Sequence, residues 1–408
     1  MSAGGTTTAD AVPDGGEDTG DWDVPALLTP TEEQAALRRM LRDFFAERWP
    51  EERLRAVVGS ADGHDRELWQ AMAGELGLHG LAVPEDLGGG GFTYPDLLVV
   101  FEEMGRALVG GPFFASIAMA STLLLALPDR NAQERLLPGV ASGERIATVA
   151  VVEHPTRWEA RDPVAAAAGT GVARTVTGEK LFVLDAQVAD VLLVVVRTEH
   201  GIGVVEVDAA APGVRIEPLQ SVDLTRRQAR VVFESAPGTL LAPGHDAAPA
   251  VRRMCDLAGV ALAAEQVGGA ARVLEMATSH ARTREQFGRP IGGFQAVKHL
   301  LADQLVAVES ARAALAYATT AAASASATET GTGAGLPVAA AAAQALCSEV
   351  FSAAAEANIH VHGGIGFTWE HPAHLYYRRA VSSEVMLGRP REHRARIAAH
   401  LVAMLETP

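Results

Sequence analysis

The chain has 408 residues, 48% of them hydrophobic and 21% charged, which is enough for two or three domains with sizeable apolar cores. Lys and Arg number 34 against 50 Asp and Glu, and the formal charge of −16 argues against nucleic acid as a partner. The two cysteines exclude a disulfide framework and a CxxC-type zinc site, and they are typical of a reducing, cytoplasmic compartment. No apolar run approaches the roughly 18 residues of a membrane helix, so no membrane span is predicted.

The first third of the chain is predicted to be helical after a disordered beginning. Residues 1–25 are mainly Gly, Thr and Asp with little apolar content, and we expect them to be disordered. In residues 26–141 apolar positions recur with a helical period, and Thr-x-x-Glu signals open the first helix. RELWQAMAGELGLHGL and YPDLLVVFEEMGRALV are the clearest helical segments, and the Pro/Gly turn PEDLGGGG separates them. These residues are therefore predicted to form an N-terminal helical domain.

Residues 142–245 change to a strand pattern. Seven short runs rich in β-branched residues are separated by Gly, Pro and Asp: RIATVAVVE, GVARTVTG, KLFVLDA, DVLLVVVRTE, IGVVEVD, GVRIEPL and RQARVVFES. This density of strands favours a small β-barrel or sandwich. Because helices do not alternate with the strands and no G-x-G-x-x-G follows one, a doubly wound dinucleotide-binding sheet is not expected.

Residues 246–408 return to helices. Long helical segments are predicted at 252–284, 294–322 and 337–361, and REHRARIAAHLVAMLE predicts one more at the end. The Gly/Ser/Thr-rich stretch at 323–336 is predicted to be a flexible loop. The order of helical domain, β-domain and helical bundle indicates an α+β fold.

The string RTREQFGRPIGGFQAVKH, residues 282–299, is the most specific one in the chain. A predicted helix runs to Arg284, breaks at Gly288 and Pro290, and a new helix starts near Phe294. An Arg at a helix end beside an aromatic ring and a glycine turn suits a phosphate and a flat ring. The alternative is that Arg284 only caps a helix and that Phe287 fills a gap in the core.

A second string, HVHGGIGFTWEHPAHLYYRRA, spans residues 360–380. Gly363 and Gly364 remove side chains at a predicted helix end and allow the backbone to approach a ligand closely. Four histidines lie in the same string, but their spacing does not match an H-E-x-x-H motif. Hydrogen-bonding or solvated roles are favoured for them, and no metal site is predicted.

With these strings the chain resembles the acyl-CoA dehydrogenase family. The resemblance runs from about Leu28 to the last helix and is carried by ELGLHGLAVPEDLGGGGFTYPDL, EEMGR, KLFVLDAQVAD, REQFGRPIGGFQAVKH and GGIGFTWEH. The REQFG/FQ and GGxGFT pair at this spacing is highly specific. The resemblance implies an FAD-dependent enzyme with an N-terminal helical domain, a central β-barrel and a C-terminal four-helix bundle. Family members usually assemble as dimers of dimers.

The resemblance also implies a set of cofactor-binding residues: Arg284, Phe287, Gln295, Gly363, Gly364, Phe182 and His360. The first three match residues that hold the FAD diphosphate and adenosine, usually across a subunit interface. The glycine pair would lie against the same cofactor, and His360 stands where Gln is common. Phe182 falls where the family places an aromatic residue, commonly Trp, beside the flavin ring.

The catalytic base of the family is not found at its usual places. The reaction needs a carboxylate that takes the α-proton of an acyl thioester. Leu387 stands at the usual Glu position, and Ala258 stands where a minority of the family places the Glu. Asp256 should face away from Ala258, because two residues are about 200° apart on a helix. Glu384 is a weak candidate, since it could share a helical face with Leu387.

The β-domain departs from the family pattern as well. The family's Thr-Glu-Pro-Gly-x-Gly-Ser-Asp loop, which cradles the flavin, is replaced by VVEHPTRWEARDP. Leu184 takes a position where a Thr hydroxyl often meets the flavin. A bound flavin ring would therefore have a more apolar environment in this chain.

The resemblance implies FAD-dependent α,β-dehydrogenation of an acyl thioester, carried by coenzyme A or by a carrier protein. An electron-accepting partner and a homo- or hetero-oligomer, dimer or tetramer, are implied with it. One alternative is a partner subunit that shares FAD within a heteromeric dehydrogenase. A second is the same fold with changed chemistry, such as oxygenation, and a third is a scaffold without enzymatic activity.

Overall fold

The computed structural model describes residues 30–156, 158, 162–242, 245–326 and 335–406. The disorder predicted for residues 1–25 lies outside the described residues, and so does most of the loop predicted at 323–336. The described beginning of that loop is helical, because the preceding helix continues through Ser326. Its Ala-rich sequence has enough helix propensity to extend the helix that far.

The N-terminal domain is helical, and several of its helices begin at side-chain caps. The helices are α1 Glu32–Arg48, α2 Glu51–Gly59, α3 Arg66–Gly74, α4 Tyr94–Ala107, a π-helix at Phe114–Ser121 that continues into α5 Thr122–Ala126, and α6 Arg130–Ala141. Thr31 and Gln34 form a capping box at the start of α1, and Thr93 and Asp96 form another at α4. These caps satisfy backbone N–H groups that a helix leaves unpaired, which fixes where each helix starts.

The central domain is a closed barrel. Its strands are β1 Ala147–Ala150, β2 Ala166–Ala168, β3 Ala173–Leu184, β4 Val191–Thr198, β5 Gly201–Asp208, β6 Val214–Pro218 and β7 Gln228–Leu241. Strand β4 pairs with β2 and β5, β2 with β3, β3 with β7, and β7 with β5, so these strands close on themselves. Strand β1 joins the sheet on β4, and β6 joins it on β7.

Two of the predicted strands are one strand in the structure. GVARTVTG and KLFVLDA together form β3, whose pairing with β7 is irregular near Gly178 and again between Lys180 and Val183. Gly178 has a φ of +141°, a conformation that suits glycine, so it lets the strand bend instead of ending it. Strand β2, an alanine run, was not predicted.

The C-terminal domain is a helical bundle with a small hairpin inserted after its first helix. Its elements are α7 Ala248–Thr283, the hairpin strands β8 Glu285–Gln286 and β9 Arg289–Pro290, α8 Gln295–Ser326, α9 Leu336–His362, α10 Ala373–Val385 and α11 Pro390–Glu406. By length and composition alone, α7 and the span 336–367 could cross a membrane. In their most apolar windows 83% and 67% of residues are buried inside the protein, so both serve as core helices of the bundle.

The N-terminal domain and the bundle share a core, and the barrel interior forms a second one. Helices α4 and α7 touch backbone to backbone where they cross. A Cβ at Gly105 would lie 2.0 Å from the Glu265 carbonyl oxygen, and one at Gly268 would lie 1.8 Å from that of Glu102. The predicted α+β architecture of helical domain, β-barrel and helical bundle is confirmed.

Candidate functional site

An exposed segment, residues 284–294, follows α7, and we call it the arm. The helix ends at Thr283, and Arg284 is already extended, with its N–H donating to the His280 carbonyl at 2.8 Å. The Arg284 carbonyl accepts from the Ile291 N–H at 2.8 Å, which closes the hairpin formed by β8 and β9. The Arg284 side chain is exposed on the surface of the chain.

Phe287 occupies the tip of this hairpin with 92% of its surface exposed. The alternative that it fills a core gap is therefore wrong for this chain. Its ring stands edge-on to Phe294, 6.1 Å between centroids, and the Arg289 guanidinium covers the Phe294 ring at 4.1 Å. Gln295 is exposed at the start of α8. The arm thus presents rings and cations outwards.

The glycine pair lies at the end of α9. Gly363 has φ +67° and ψ −142°, a backbone conformation that is open essentially only to glycine. A Cβ at either Gly363 or Gly364 would have nothing within 4 Å, so both face open space. His360 is exposed on the last turn of α9, close to the pair in sequence.

Three stacked histidines join the arm to the glycine pair. The His362 ring lies 4.3 Å from that of His280 near the end of α7, and 4.3 Å from that of His371. The Nδ1 of His362 is 2.8 Å from the Asn358 carbonyl, which orients the ring. Burial, together with the neighbouring His362, lowers the pKa of His280 and of His371. Within the described ranges no group of His, Cys, Asp and Glu is arranged to hold a metal ion.

Phe182 lies in a different part of the chain from the arm. It sits in the second irregularity of β3 with a φ of +53° and packs against the helical core. Three residues on, Asp185 is close to Arg226, which is bound to Glu265 of α7. Glu265 precedes Arg284 by 19 residues, roughly 28 Å along a helix axis. Phe182 therefore lies near the part of α7 that carries Glu265, whereas the arm follows the end of that helix.

A cavity of about 1230 Å³ opens between the barrel, the first turns of α7 and the start of α11. Leu387, which was expected at the position of the usual base, lines this cavity with an apolar side chain. Asp256 lines it too, paired with Arg396 at 2.6 Å, and burial raises the pKa of Asp256. Asp256, and not Ala258, therefore lines the cavity, and the two residues point in different directions as predicted. Ala258 is fully buried among the helices.

Glu384 does not share a face with Leu387. Helix α10 ends at Val385, and Leu387 lies in the following loop with a φ of +61°. The Glu384 carboxylate accepts a hydrogen bond of 2.6 Å from the Ser352 hydroxyl and does not line the cavity. The condition on which Glu384 was a candidate base is therefore not met.

Comparisons with known proteins agree with this architecture. The model of the acyl-CoA dehydrogenase N-terminal domain matches residues 31–144, and that of the C-terminal domain matches residues 250–402. The chain belongs to the acyl-CoA dehydrogenase family. Its sequence is 33% identical over 373 residues to acyl-CoA dehydrogenase IpdE2 of Mycobacterium tuberculosis, covering 90% of this chain and 96% of that one.

Solved structures in the acyl-CoA dehydrogenase family superpose closely. A variant of the Tcur3481-Tcur3483 steroid ACAD is similar with a TM-score of 0.82 and 31% identity, covering 92% of this chain and 99% of that one. The ChsE4-ChsE5 complex from Mycobacterium tuberculosis gives a TM-score of 0.82 and 30% identity, covering 93% and 99%. By family, the chain is an acyl-CoA dehydrogenase-like flavin oxidoreductase.

Strand β3 is tied to the chain that follows β1 by a buried ion pair. The Lys180 ammonium is fully buried and lies 2.6 Å from the Glu153 carboxylate and 3.2 Å from the Val151 carbonyl. The same carboxylate accepts hydrogen bonds from the N–H groups of Val164 and Ala165 at 2.5 and 2.9 Å. Strand β3 also carries Arg174, Thr175, Thr177 and Glu179, so no sequence pattern marked Lys180 as buried.

A second group that the sequence did not reveal lies where barrel and bundle meet. We call it the junction cluster, and its members are Asp185, Asp223, Arg226, Glu265 and Arg379. Arg226 and Arg379 each lie 2.6 Å from the Glu265 carboxylate, and Arg379 lies 2.8 Å from that of Asp223. All five side chains are at least nine-tenths buried. The cluster could not be recognised in the sequence, because its members lie far apart along the chain and only the fold brings them together.

Proposed function

We propose that this chain is the FAD-sharing subunit of a two-chain acyl-CoA dehydrogenase whose partner chain supplies the catalytic base. The reaction is α,β-dehydrogenation of an acyl thioester in the cytoplasm, with electrons passed on to an accepting partner. The observation that carries the proposal is that the apolar Leu387, which the family resemblance assigns to the position of the base, lines the cavity. Ala258, at the second familiar position, is buried and has no group that can take a proton.

The carboxylates that do line the described part of the cavity are all engaged. Asp246 accepts from the Ala248 N–H at 2.8 Å, and Glu392 accepts from the Arg389 N–H at 3.0 Å. Asp256 is bound by Arg396. It comes nearest to a base, since it is buried and its pKa is raised. To accept a proton from substrate it would first have to part from the guanidinium.

The exposed arm and the glycine pair fit an FAD diphosphate and adenosine. Arg284 offers a planar cation for phosphate, and Phe287 offers a ring that this chain leaves uncovered. Gly363 and Gly364 leave room for a ligand against their backbone. When bound, FAD supplies the acceptor for the hydride that leaves the β-carbon.

A cofactor shared between two chains also accounts for the distribution of the expected FAD-binding residues, which lie in two parts of this chain. Phe182, expected beside the flavin ring, and the arm, expected at the diphosphate, belong to different places in one chain. A cofactor lying between two chains would use the arm of one and the barrel of the other. That the ChsE4-ChsE5 neighbour is a complex of two different chains supports the same arrangement.

The test is to purify the chain alone and together with a family chain that carries the Glu, encoded beside it. We expect the chain alone to hold little FAD and the pair to hold one FAD for two chains, with the flavin bleached by an acyl-CoA thioester. If the chain alone purifies with one FAD per chain and an acyl-CoA bleaches it, the proposal is wrong. Loss of that bleaching in Asp256→Asn would then identify Asp256 as the base.

Arg284→Ala tests the cofactor residues within the same pair. A charge-assisted hydrogen bond contributes about 1.5–3 kcal/mol, so the dissociation constant of FAD should rise roughly 10- to 100-fold. Arg39→Ala, on the exposed face of α1, is the matched control and should leave FAD affinity unchanged. Equal FAD affinity in both variants would contradict the assignment of Arg284.

A further inference from the structure

Asp185 differs from the other acids of the junction cluster. It is 1% exposed, and neither carboxylate oxygen makes a hydrogen bond within the described residues. Its backbone has a φ of +50° and is held by an N–H bond of 2.9 Å to the Arg227 carbonyl. Glu265 is paired with both arginines, and Asp223 accepts from the N–H and hydroxyl of Thr225. Asp185 is thus buried, fixed in place and unpaired.

The charges of the junction cluster do not balance if every acid is ionised. Three carboxylates face two guanidiniums, which leaves one negative charge in excess inside the protein. An uncompensated buried charge is costly, and arginine does not give up its proton in proteins. Because the other two carboxylates are in ion pairs, Asp185 is the acid that can be neutral at least cost.

We propose that Asp185 holds a proton in the folded protein in mildly acidic solution and loses it as the pH rises through neutrality, and that losing this proton destabilises the junction between barrel and bundle. The charged groups that face it come from each packed element. Arg226 and Asp223 lie between β6 and β7, and Arg379 projects from α10. Glu265 of α7 binds both arginines and so limits how far they can neutralise a second acid.

The pKa of Asp185 agrees with this proposal. Burial raises the pKa of Asp185 to about 7, although Arg226 and Arg379 act to lower it. In the unfolded chain an aspartate titrates near pH 3.9. Between these two values the folded state binds the extra proton, so the stability that Asp185 confers falls as the pH rises towards 7 and is constant above it.

The junction cluster adjoins two parts of the candidate site. One is the end of strand β3 with Phe182, and the other is the loop that carries Leu387. Asp185 follows Phe182 by three residues on the same chain segment. The Arg226 guanidinium lies 3.8 Å from the Met386 sulfur, next to Leu387 of the cavity wall. A loosened junction would therefore shift the strand end and the loop together, so the proton on Asp185 makes the site sensitive to pH.

The first experiment is thermal unfolding of the full chain, in its co-purified state, between pH 5 and pH 8.5. Asp185→Asn keeps the shape of the protonated acid without its ionisation. We expect the melting temperature of Asp185→Asn to exceed that of the natural chain. The difference should grow by on the order of 4 °C between pH 5 and pH 7 and stay constant at higher pH. Asp303→Asn, which removes an exposed carboxylate on α8, should show no such growth.

Infrared difference spectra between pH 5.5 and 8.5 measure the proton directly. The carboxylic-acid carbonyl band of one buried acid should disappear as the pH rises and should be missing from Asp185→Asn at every pH. A difference in melting temperature that does not change with pH, or an unchanged band in Asp185→Asn, would overturn the inference. Neither result depends on whether a partner chain supplies the base, so the two proposals fail separately.

Discussion

At the scale of single residues, the candidate site depends on backbone conformations as much as on side-chain chemistry. Gly363 and Gly364 are adjacent and face the same open space, yet only Gly363 has a positive φ. The two positions therefore separate two roles of glycine that a sequence cannot distinguish. One glycine is needed for the fold of the turn, and the other would be needed only for a ligand.

Substituting each glycine by alanine tests this difference. Gly363→Ala should lower the free energy of unfolding by about 1–3 kcal/mol, because an L-residue is strained at that φ and ψ. Gly364→Ala should change it by less than about 0.5 kcal/mol, since its Cβ meets nothing. Chemical denaturation measures both. If the cofactor lies against this backbone, both variants should also retain less FAD, and an undiminished FAD content in Gly364→Ala would contradict the contact.

At the scale of elements, α7 connects every part of the site. Its first turns line the cavity, its middle carries Glu265 of the junction cluster, and its end leads into the arm. Glycine contacts hold it backbone to backbone against α4. A change in the middle of α7 should therefore weaken the contacts between domains more than a change on its outer face.

Glu265→Gln is expected to lower the free energy of unfolding by about 3–5 kcal/mol, because it leaves two buried guanidiniums short of a partner. Glu275→Gln on the same helix is the control. Glu275 is 50% exposed in its pair with Arg106, and a surface pair of this kind is worth about 1 kcal/mol or less. The two denaturation midpoints are compared directly. Equal losses would show that Glu265 does not hold the junction.

At the scale of the whole molecule, buried neutral histidines contribute to the response to acid. His79 is fully buried with its ring edge-on to Trp69 at 4.0 Å and to Phe113 at 5.2 Å. Burial lowers its pKa to about 3, and burial lowers that of His393 in the cavity wall to about 4. Both are therefore uncharged in the folded protein under conditions where the unfolded chain would protonate them.

Stability should fall as the pH drops below about 6.5. The unfolded histidine binds a proton there while the folded one does not, at about 1.4 kcal/mol for each pH unit and each group. Melting temperatures between pH 7 and pH 4.5 should show a smaller decline in His79→Phe than in the natural chain. His200→Gln, an exposed histidine, should decline as the natural chain does. A His79→Phe profile parallel to the natural one would contradict the prediction.

Much of the fold could be predicted from local patterns. The Thr-x-x-Glu signals before the first helix, the change to β-branched runs after Ser142 and the return of helical periods in α7 each reflect forces between residues close in sequence. The places where prediction failed are those where distant residues compete. GVARTVTG and KLFVLDA read as two strands because Gly178 breaks the pattern, whereas pairing with β7 holds them as one.

The candidate site, like the fold, could be predicted from the sequence only in part. The strings around Arg284 and Gly363 could be found because the family signature is local, although the roles of these residues stay predictions. Helix geometry predicted that Asp256 and Ala258 point in different directions, but it could not tell which of them lines the cavity, because it gives only the angle between the two residues. His393 and the pair of Lys180 with Glu153 had no motif to mark them.

The sequence by itself determined the order of the domains and the family, because these depend on residue identity and near neighbours. Only the tertiary structure decided which acids are buried together, which of them are paired and which side chains line the cavity. Electrostatic energies depend on distance and burial in space, and residues such as Asp185 and Arg379, nearly two hundred positions apart, acquire both only on folding.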